Sequence, residues 1–244
     1  MATVTLGKDQ VSVGTIYCIG KNYEAHAHEM RQWEHSPNVP IQYQSEPIVF
    51  SKPASSLIHS GGKIQVSTFN GQPIGTALHY ETEFVILIGK HACQVPAESA
   101  LNYVSGYGIG LDMTLRDVQT EAKKSGNPWL VCKGFKTSAV VSDFVPVEPN
   151  FDPAKFKIVL NKNRETAQFG FTHNMTFNTQ YLVSYLSHVF GLMPGDLIFT
   201  GTPEGVGPTV SGDYLEALLY DAKQPDTIAY EPSRIFAQLC ATVG

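Results

Sequence analysis

The sequence predicts an α+β protein built on a large mixed sheet or roll, with a few helices at its periphery. Strand-like segments bounded by glycine or proline recur along its 244 residues, whereas only two or three segments have apolar residues at helical spacing. Strands and helices also do not alternate in the regular order that a parallel βαβ sheet requires, which favours the α+β class.

The composition excludes several classes of function. With 43% hydrophobic residues, a net charge of −5 and no basic cluster, the chain is globular, and we expect no nucleic-acid partner. It has no apolar run of about 18 residues and no apolar segment near its N-terminus, so neither a membrane span nor a secretory signal is expected. The four cysteines form no CxxC pair, which argues against a zinc site or disulfides and predicts a cytoplasmic location.

Strands and one long loop account for most of the predicted elements. Residues 33–47 contain three prolines and are expected to form a surface loop. The expected strands are 11–20, 47–53, 61–66, a segment ending near Met113, 156–163, 196–201 and the alternating tail.

Helix-capping residues mark the expected helices. Asn22 is a candidate N-cap for the first helix. Thr114 and Asp117 have capping-box spacing at the start of the second, and Gly126 followed by Pro128 ends it. The expected helices are 22–32, 114–124 and the second half of 175–192.

The segment LHYETEFVILIGK, residues 78–90, carries two carboxylates at the start of an apolar strand. Glu81 and Glu83 lie on one face, and both faces become apolar after Glu83, which is typical of a buried strand. Unpaired carboxylates near a core are costly, so the pair predicts either a shared cation or a solvated strand end.

Asp112 follows another buried-looking strand and precedes the Thr114 helix, where it is either a turn residue or a third ligand. Together with Glu81 and Glu83 it would make an all-oxygen site with open positions. Such a site suits Mg²⁺ or Mn²⁺ better than zinc.

Three further segments contain candidate functional residues. His26 and Glu29 are three apart on the first helix, so they form either a surface pair or a dyad that deprotonates water. The glycine-rich loop 195–208 offers free N–H groups and the Thr202 hydroxyl to a carboxylate, or is a plain hairpin loop. Lys133 lies among apolar residues, where it either neutralises an acidic cluster or extends over the surface.

The sequence resembles the fumarylacetoacetate hydrolase superfamily, and in particular its acylpyruvate hydrolase and oxaloacetate decarboxylase group. The resemblance extends from about residue 16 to residue 208 in the family's order. The matching segments are CIGKNYEAHAHEM, PIVFSKPASSLI, LHYETEFVILIGK, YVSGYGIGLDMTLRDVQTEAKKSGNPWLVCKGF and PGDLIFTGTPEGVGP.

The resemblance implies a mixed β-roll, a homodimer and roles for ten residues. It implies one catalytic domain over 1–244, with a lid helix within about 1–70 and a metal-binding core over about 71–244. Lys21 stands where many relatives have arginine. The implied roles are metal ligands for Mg²⁺ or Mn²⁺ (Glu81, Glu83, Asp112), catalytic residues (His26, Glu29, Lys133) and substrate-binding residues (Lys21, Arg116, Gln119, Thr202).

The resemblance also implies a small 2-oxo acid substrate. The leading expectation is hydrolysis of an acylpyruvate to pyruvate and a carboxylic acid, with water activated by His26 and Glu29. The alternative is decarboxylation or keto–enol tautomerisation of oxaloacetate, which needs no water attack and depends less on His26. A metal-stabilised binding module is the non-enzymatic alternative.

Overall fold

The computed structural model describes residues 2–33, 45–148, 151–221 and 235–244, and for residues 30–33 it describes the backbone alone. The helices are α1 (Glu24–Trp33), α2 (Arg116–Ser125), α3 (Leu130–Lys133) and α4 (Thr179–Val189), with 3₁₀ turns at Ala54–Ser56, Ala97–Tyr103 and Thr172–Asn174. The strands are β1 (Thr3–Leu6), β2 (Asp9–Ser12), β3 (Ile16–Gly20), β4 (Ile48–Lys52), β5 (Leu57–His59), β6 (Lys63–Ile64), β7 (Thr68–Phe69), β8 (Gln72–Pro73), β9 (Leu78–Tyr80), β10 (Thr82–Ile88), β11 (Val104–Asp112), β12 (Thr114–Leu115), β13 (Ala139–Val141), β14 (Val145–Pro146), β15 (Phe156–Lys162), β16 (Glu165–Phe171), β17 (Leu197–Phe199), β18 (Gly207–Pro208), β19 (Tyr214–Asp221) and β20 (Ile235–Val243).

Two mixed sheets form the body of the protein. The larger has the order β4-β3-β17-β10-β11-β13-β5, with β14 added beside β11, and the second has the order β16-β15-β19-β20-β6. Most neighbours are antiparallel, but β17 pairs with β3, β13 with β5 and β20 with β6 in parallel. The predicted α+β class with a mixed β-roll and few peripheral helices is confirmed.

Strand β10 is buried on both faces, as its sequence predicted. Phe84 packs on Phe156 of the second sheet, with ring centroids 5.3 Å apart. On the opposite face Val85 belongs to a separate apolar cluster that includes Ile16 and Phe199. The centre of the larger sheet therefore lies between two apolar layers, and groups at its ends are shielded from water.

The predicted strand 78–90 is interrupted at Glu81. Strand β9 pairs with β12 and β18 in a small separate sheet, whereas β10 begins at Thr82 in the large sheet. The carbonyl of Glu81 accepts a 2.8 Å hydrogen bond from the N–H of Asp112 at this break. The break brings two of the predicted ligands together through the backbone.

The predicted capping box of the second helix is wrong, although its end is right. Thr114 lies in β12, and α2 begins at Arg116 without a side-chain cap. The carboxylate of Asp117 accepts instead from the N–H of Thr76 at 2.7 Å. Gly126 adopts the left-handed conformation and ends α2, as predicted.

The predicted N-cap role of Asn22 is also wrong, because its side chain has tertiary partners. Helix α1 begins at Glu24. The Asn22 amide accepts from Phe177 N–H at 2.7 Å and donates to the carbonyls of Phe177 and Thr200. It thereby joins the start of the helix to the end of β17.

Other predicted boundaries are corrected in smaller ways. The expected strand 11–20 divides into β2 and β3, and the expected strand 61–66 is reduced to β6. Of the predicted loop 33–47, residues 34–44 lie outside the described residues. Among the helices described, none combines the length and apolar character needed to cross a membrane.

Candidate active site

Three carboxylates meet where β9, β10 and β11 come together. Glu81 lies in the break before β10, Glu83 on β10 and Asp112 at the end of β11. The antiparallel register pairs Glu83 with Gly110 and Thr82 with Leu111, which brings Asp112 beside Glu81. All three are buried, and one oxygen of each lies within 4.8 Å of the others. We call these three residues the acidic cluster.

Three cationic side chains surround the acidic cluster. Lys133 Nζ lies 2.7 Å from Glu81 Oε2 and 2.7 Å from Asp112 Oδ2. Lys52 Nζ lies 2.7 Å from the other oxygen of Asp112. Arg116 Nη2 lies 2.6 Å from Glu81 Oε1. Buried charges of one sign are tolerated only when such partners are present.

The cations divide unequally among the carboxylates, and the pKa values of Glu81 and Glu83 move in opposite directions. Burial tends to raise the pKa of Glu81, but Lys133 and Arg116 outweigh it and hold the pKa well below the usual range. Burial, reinforced by the Asp112 and Glu81 carboxylates, raises the pKa of Glu83 well above its ordinary value. Glu83 is therefore the member of the cluster whose charge is least compensated.

The pKa of Lys133 moves in the direction that keeps it charged. Burial lowers it, but the Asp112 and Glu81 carboxylates overcome this effect and raise the pKa above that of a free lysine. Lys133 is thus a permanent cation at neutral pH and a poor proton acceptor.

Glu83 is linked to the segment that follows β17, which we call the threonine loop (residues 200–205). The N–H of Gly201 donates to Glu83 Oε2 at 2.7 Å. Gly201 has φ +97°, and a Cβ there would lie 2.8 Å from the Cβ of Asn22. Only glycine allows the loop to approach the cluster this closely.

Helix α1 places the predicted dyad over the site. His26 Nδ1 lies 3.3 Å from Glu29 Oε2. Glu29 also accepts the N–H of Gly205 at 3.1 Å, so the dyad is fastened to the threonine loop. His28 projects away from it, with about half of its side chain exposed (52%).

The structure brings the sequence-predicted residues together around one cavity of about 30 Å³. Asp112 and Glu29 do not line it but contact two residues that do, Lys133 and His26. The predicted residues that line the cavity are Lys21, His26, Glu81, Glu83, Arg116, Gln119, Lys133 and Thr202.

The predicted substrate-binding residues differ in their surroundings. Arg116 donates to Gln119 Oε1 at 2.6 Å as well as to Glu81. Lys21 lies at the cavity in a left-handed conformation with φ 57°. The Thr202 hydroxyl donates its proton to the carbonyl of Thr82 at 2.9 Å, so a substrate carboxylate would have to replace that bond.

Sequence reasoning missed Lys52 and Gln168, which form hydrogen bonds or ion pairs with residues of the site. Lys52 pairs with Asp112 and also donates to Ser138 Oγ at 3.1 Å and to the carbonyl of Lys133. Its only sequence signal is a lysine ending an apolar strand before a proline, within the segment PIVFSKP. Gln168, whose amide donates to Thr202 Oγ1 at 2.8 Å, carries no signal of its own.

The acidic cluster fits a divalent cation by the chemistry of its donors. It offers three carboxylates and no sulfur or nitrogen ligand, the set that hard cations such as Mg²⁺ and Mn²⁺ prefer. A cation at the cluster would also compensate the charge of Glu83. Among the described residues, no other group of three such side chains is close enough to hold a metal ion.

Comparison with known proteins identifies the class to which this fold and site belong. The family model for the fumarylacetoacetate (FAA) hydrolase C-terminal domain matches residues 15–243, and the chain belongs to this family. The resemblance inferred from the sequence motifs is thereby confirmed.

Individual relatives divide between two activities. The human mitochondrial oxaloacetate tautomerase FAHD1 is 42% identical over 202 residues, which cover 83% of this chain and 85% of the human protein. The oxaloacetate tautomerase FAHD1 of Arabidopsis thaliana is 41% identical over the same length, covering 83% and 84%. A crystal structure of fumarylpyruvate hydrolase from Pseudomonas aeruginosa in complex with Mn²⁺ and pyruvate is 32% identical. It superposes with a TM-score of 0.81 over 100% of this chain and 96% of that chain.

Proposed function

We propose that the chain is a metal-dependent enzyme of small 2-oxo acids and that its principal reaction is keto–enol tautomerisation of oxaloacetate. The observation that carries this proposal is the 42% identity to the human tautomerase over 202 residues, since the site would serve several 2-oxo acid reactions. The leading expectation from the sequence was acylpyruvate hydrolysis, and the relatives favour the alternative.

The proposed ligands are Glu81, Glu83 and Asp112. Their burial supports this assignment, as does the Mn²⁺ in the Pseudomonas aeruginosa relative. A bound Mg²⁺ or Mn²⁺ would act as a Lewis acid toward the keto oxygen of the substrate.

The chain's own residues would bind and orient the substrate. Oxaloacetate has two carboxylates, and Arg116, Lys133 and Lys21 supply positive charge around the cavity. Lys133, which stays protonated, would stabilise negative charge developing on the keto oxygen. Gln119, held by Arg116, would orient a substrate oxygen. To bind a substrate carboxylate, the Thr202 hydroxyl would have to exchange its bond to the Thr82 carbonyl.

Tautomerisation to the enol removes a proton from the carbon next to the keto group and adds one to the keto oxygen, and the reverse reaction exchanges the two. His26 lines the cavity, and with Nδ1 directed at Glu29 its Nε2 is the ring nitrogen left for this exchange. A water molecule can carry the same proton, so we expect His26→Ala to slow tautomerisation without abolishing it.

Acylpyruvate hydrolysis is the second candidate, and one observation favours it. Glu29 is fixed from both sides, by His26 and by the N–H of Gly205, which orients the dyad to take a proton from water. That water would attack the distal acyl carbonyl, the C–C bond would break, and its electron pair would leave with pyruvate. Oxaloacetate decarboxylation would use the same substrate position and needs no such water.

The experiment is a panel of substrates with metal-stripped and metal-loaded protein. Oxaloacetate tautomerisation and decarboxylation, and pyruvate release from acetylpyruvate and fumarylpyruvate, are measured with Mg²⁺ and with Mn²⁺. We expect tautomerisation to be fastest and to fall to the uncatalysed rate in Glu81→Gln. Faster pyruvate release from an acylpyruvate would establish the second candidate, and metal binding without any turnover would support a binding module.

We also propose a domain organisation, an oligomeric state and a cellular location. We treat the chain as one catalytic domain, because β3, β4, β5 and β6 from its first 70 residues join both large sheets. A homodimer is expected, and light scattering that gives a monomer mass at micromolar concentration would refute it. A cytoplasmic location also stays a proposal, since the human relative is mitochondrial.

A further inference from the structure

We propose that Gln168 is a positioning residue of the acidic cluster. Through Thr82 and the threonine loop, it fixes where Glu81 and Glu83 present their carboxylates. Gln168 lies on β16 in the second sheet and is 1% exposed. The inference rests on the proposed metal site but not on which 2-oxo acid reacts there.

The backbone of Thr82 needs partners because a neighbouring strand ends before reaching it. Strand β17 pairs with β10 from Leu87 to Val85 and ends at Phe199. Just beyond the strand, the N–H of Thr200 still donates a 3.1 Å hydrogen bond to the carbonyl of Phe84. Thr82 is the next residue of β10 that faces this side, and buried backbone groups left unpaired there would be costly.

Two side chains supply the missing partners. Gln168 Oε1 accepts the N–H of Thr82 at 2.9 Å, and Thr202 Oγ1 donates to the Thr82 carbonyl at 2.9 Å. Thr82 lies between Glu81 and Glu83. Hydrogen bonds to both its N–H and its carbonyl therefore fix the spacing of the two carboxylates.

The same amide fastens the threonine loop. Gln168 Nε2 donates to Thr202 Oγ1 at 2.8 Å and to the Pro203 carbonyl at 2.9 Å. Both amide hydrogens and the amide oxygen are thus bonded to the two segments that carry Glu83 and its partner Gly201.

Steric contacts show that β16 supports the loop closely along its length. A Cβ at Gly170 would lie 2.6 Å from Pro203 Cβ, and one at Gly205 would lie 2.3 Å from the Ala167 carbonyl. Gln168 lies between these two contacts. A side chain of the same length without hydrogen-bonding groups would keep this packing. It would remove the hydrogen bonds from Gln168 to Thr82 and to the threonine loop.

Gln168→Met is the variant that tests this role, and Mn²⁺ is the probe. Mn²⁺ binding to the metal-stripped full-length protein is measured from the electron paramagnetic resonance signal of the free ion, without substrate. Loss of a residue that supports metal ligands weakens metal binding by about 10- to 100-fold. We expect at least a 10-fold rise in the Mn²⁺ dissociation constant.

Thr172→Val is the matched control for general destabilisation. Thr172 is 1% exposed, and its hydroxyl pairs with Phe156 at the far end of the same hairpin. Its loss should lower the unfolding temperature while changing the Mn²⁺ dissociation constant less than twofold. Equal weakening in both variants, or less than twofold in Gln168→Met, would overturn the proposal.

Gln168→Asn decides the question if the methionine variant does not fold. It keeps a polar amide but is one methylene too short to reach Thr82 and Thr202 together. We again expect at least a 10-fold rise in the Mn²⁺ dissociation constant, and a rise of less than twofold would overturn the proposal. If the unaltered protein binds no Mn²⁺, the proposed metal site itself is wrong, and the role of Gln168 is overturned with it.

Discussion

The ammonium nitrogen of Lys133 lies 2.7 Å from Asp112 Oδ2, inside the group of carboxylates rather than beside it. The same nitrogen contacts Glu81 Oε2 at the same distance. Lys133 therefore shares two of the three carboxylates that we assign to a metal ion. Charge compensation and the proposed metal binding would therefore be linked through one side chain.

Removing the Lys133 charge should separate metal binding from turnover. Lys133→Met frees the Glu81 and Asp112 oxygens, so the Mn²⁺ affinity should stay the same or rise. Loss of a preorganised charge near the reacting oxygen should lower kcat by about 10²–10³-fold. Both quantities are measured on the purified variant. Lys136→Met, an exposed neighbour, is the control, and an unchanged kcat in Lys133→Met would contradict the assigned role.

Glu83 should make the stability of the metal-free protein depend on pH. Its pKa is raised in the folded state, so protonated Glu83 stabilises the fold at low pH, and this contribution is lost as the pH rises through the raised pKa. In the metal-free parent, Tm should fall at high pH by about 2–4 °C for each kcal/mol of stability lost. Metal-free Glu83→Gln should show no such fall. Mn²⁺ should restore Tm at high pH in the parent and not in the variant.

The exposed Glu98→Gln variant is the control for this measurement. It should follow the parent curve at every pH. A Glu83→Gln curve that also coincides with the parent curve would mean that Glu83 carries no uncompensated charge.

The His26–Glu29 dyad should matter more for hydrolysis than for tautomerisation. Glu29→Gln leaves His26 without its anionic partner, and general-base catalysis contributes about 10²–10⁴-fold. Pyruvate release from acetylpyruvate should therefore fall by at least about 10²-fold, and oxaloacetate tautomerisation by less. His28→Ala on the exposed side of α1 is the control. Equal losses in both reactions would show that the dyad carries the proton in each.

Gly205→Ala tests the contact between the dyad and the threonine loop. Gly205 has φ +92°, and the added Cβ would lie 2.3 Å from the Ala167 carbonyl. Gly212 has φ +93° with open space around it, so Gly212→Ala carries the same backbone strain without the collision. We expect Gly212→Ala to lose about 1–3 kcal/mol of stability in chemical unfolding, and Gly205→Ala to lose more because of the collision.

Only Gly205→Ala should also lower hydrolysis, because the loop must shift away from Glu29. Matching hydrolysis rates in the two glycine variants would show that the Gly205–Glu29 hydrogen bond is dispensable.

The proximity of most candidate site residues could be predicted because they are concentrated in short segments. Two carboxylates before a strand that is apolar on both faces indicate a buried charge, and Asp112 ends a second such strand. The break at Glu81 could not be predicted, because it depends on β9 pairing with β12 and β18 rather than with the large sheet.

Predictions that relied on local capping rules failed where tertiary partners competed. Asn22 and Thr114 have the side chains of helix caps, yet Asn22 bonds with residues more than 150 positions away along the chain. Gln168 was invisible for the same reason, since its partners Thr82 and Thr202 lie 86 and 34 positions away. A single sequence does not reveal such pairings, because they depend on sheet register.

The central claim is that the acidic cluster holds a divalent ion on which oxaloacetate reacts. It is tested most directly by measuring oxaloacetate tautomerisation as Mn²⁺ is added back to metal-stripped protein, in the parent and in Glu83→Gln. We predict a rate that rises with Mn²⁺ to saturation in the parent and stays at the uncatalysed level in the variant. Full activity of the metal-stripped parent, or saturation of Glu83→Gln at the same Mn²⁺ concentration, would contradict the claim.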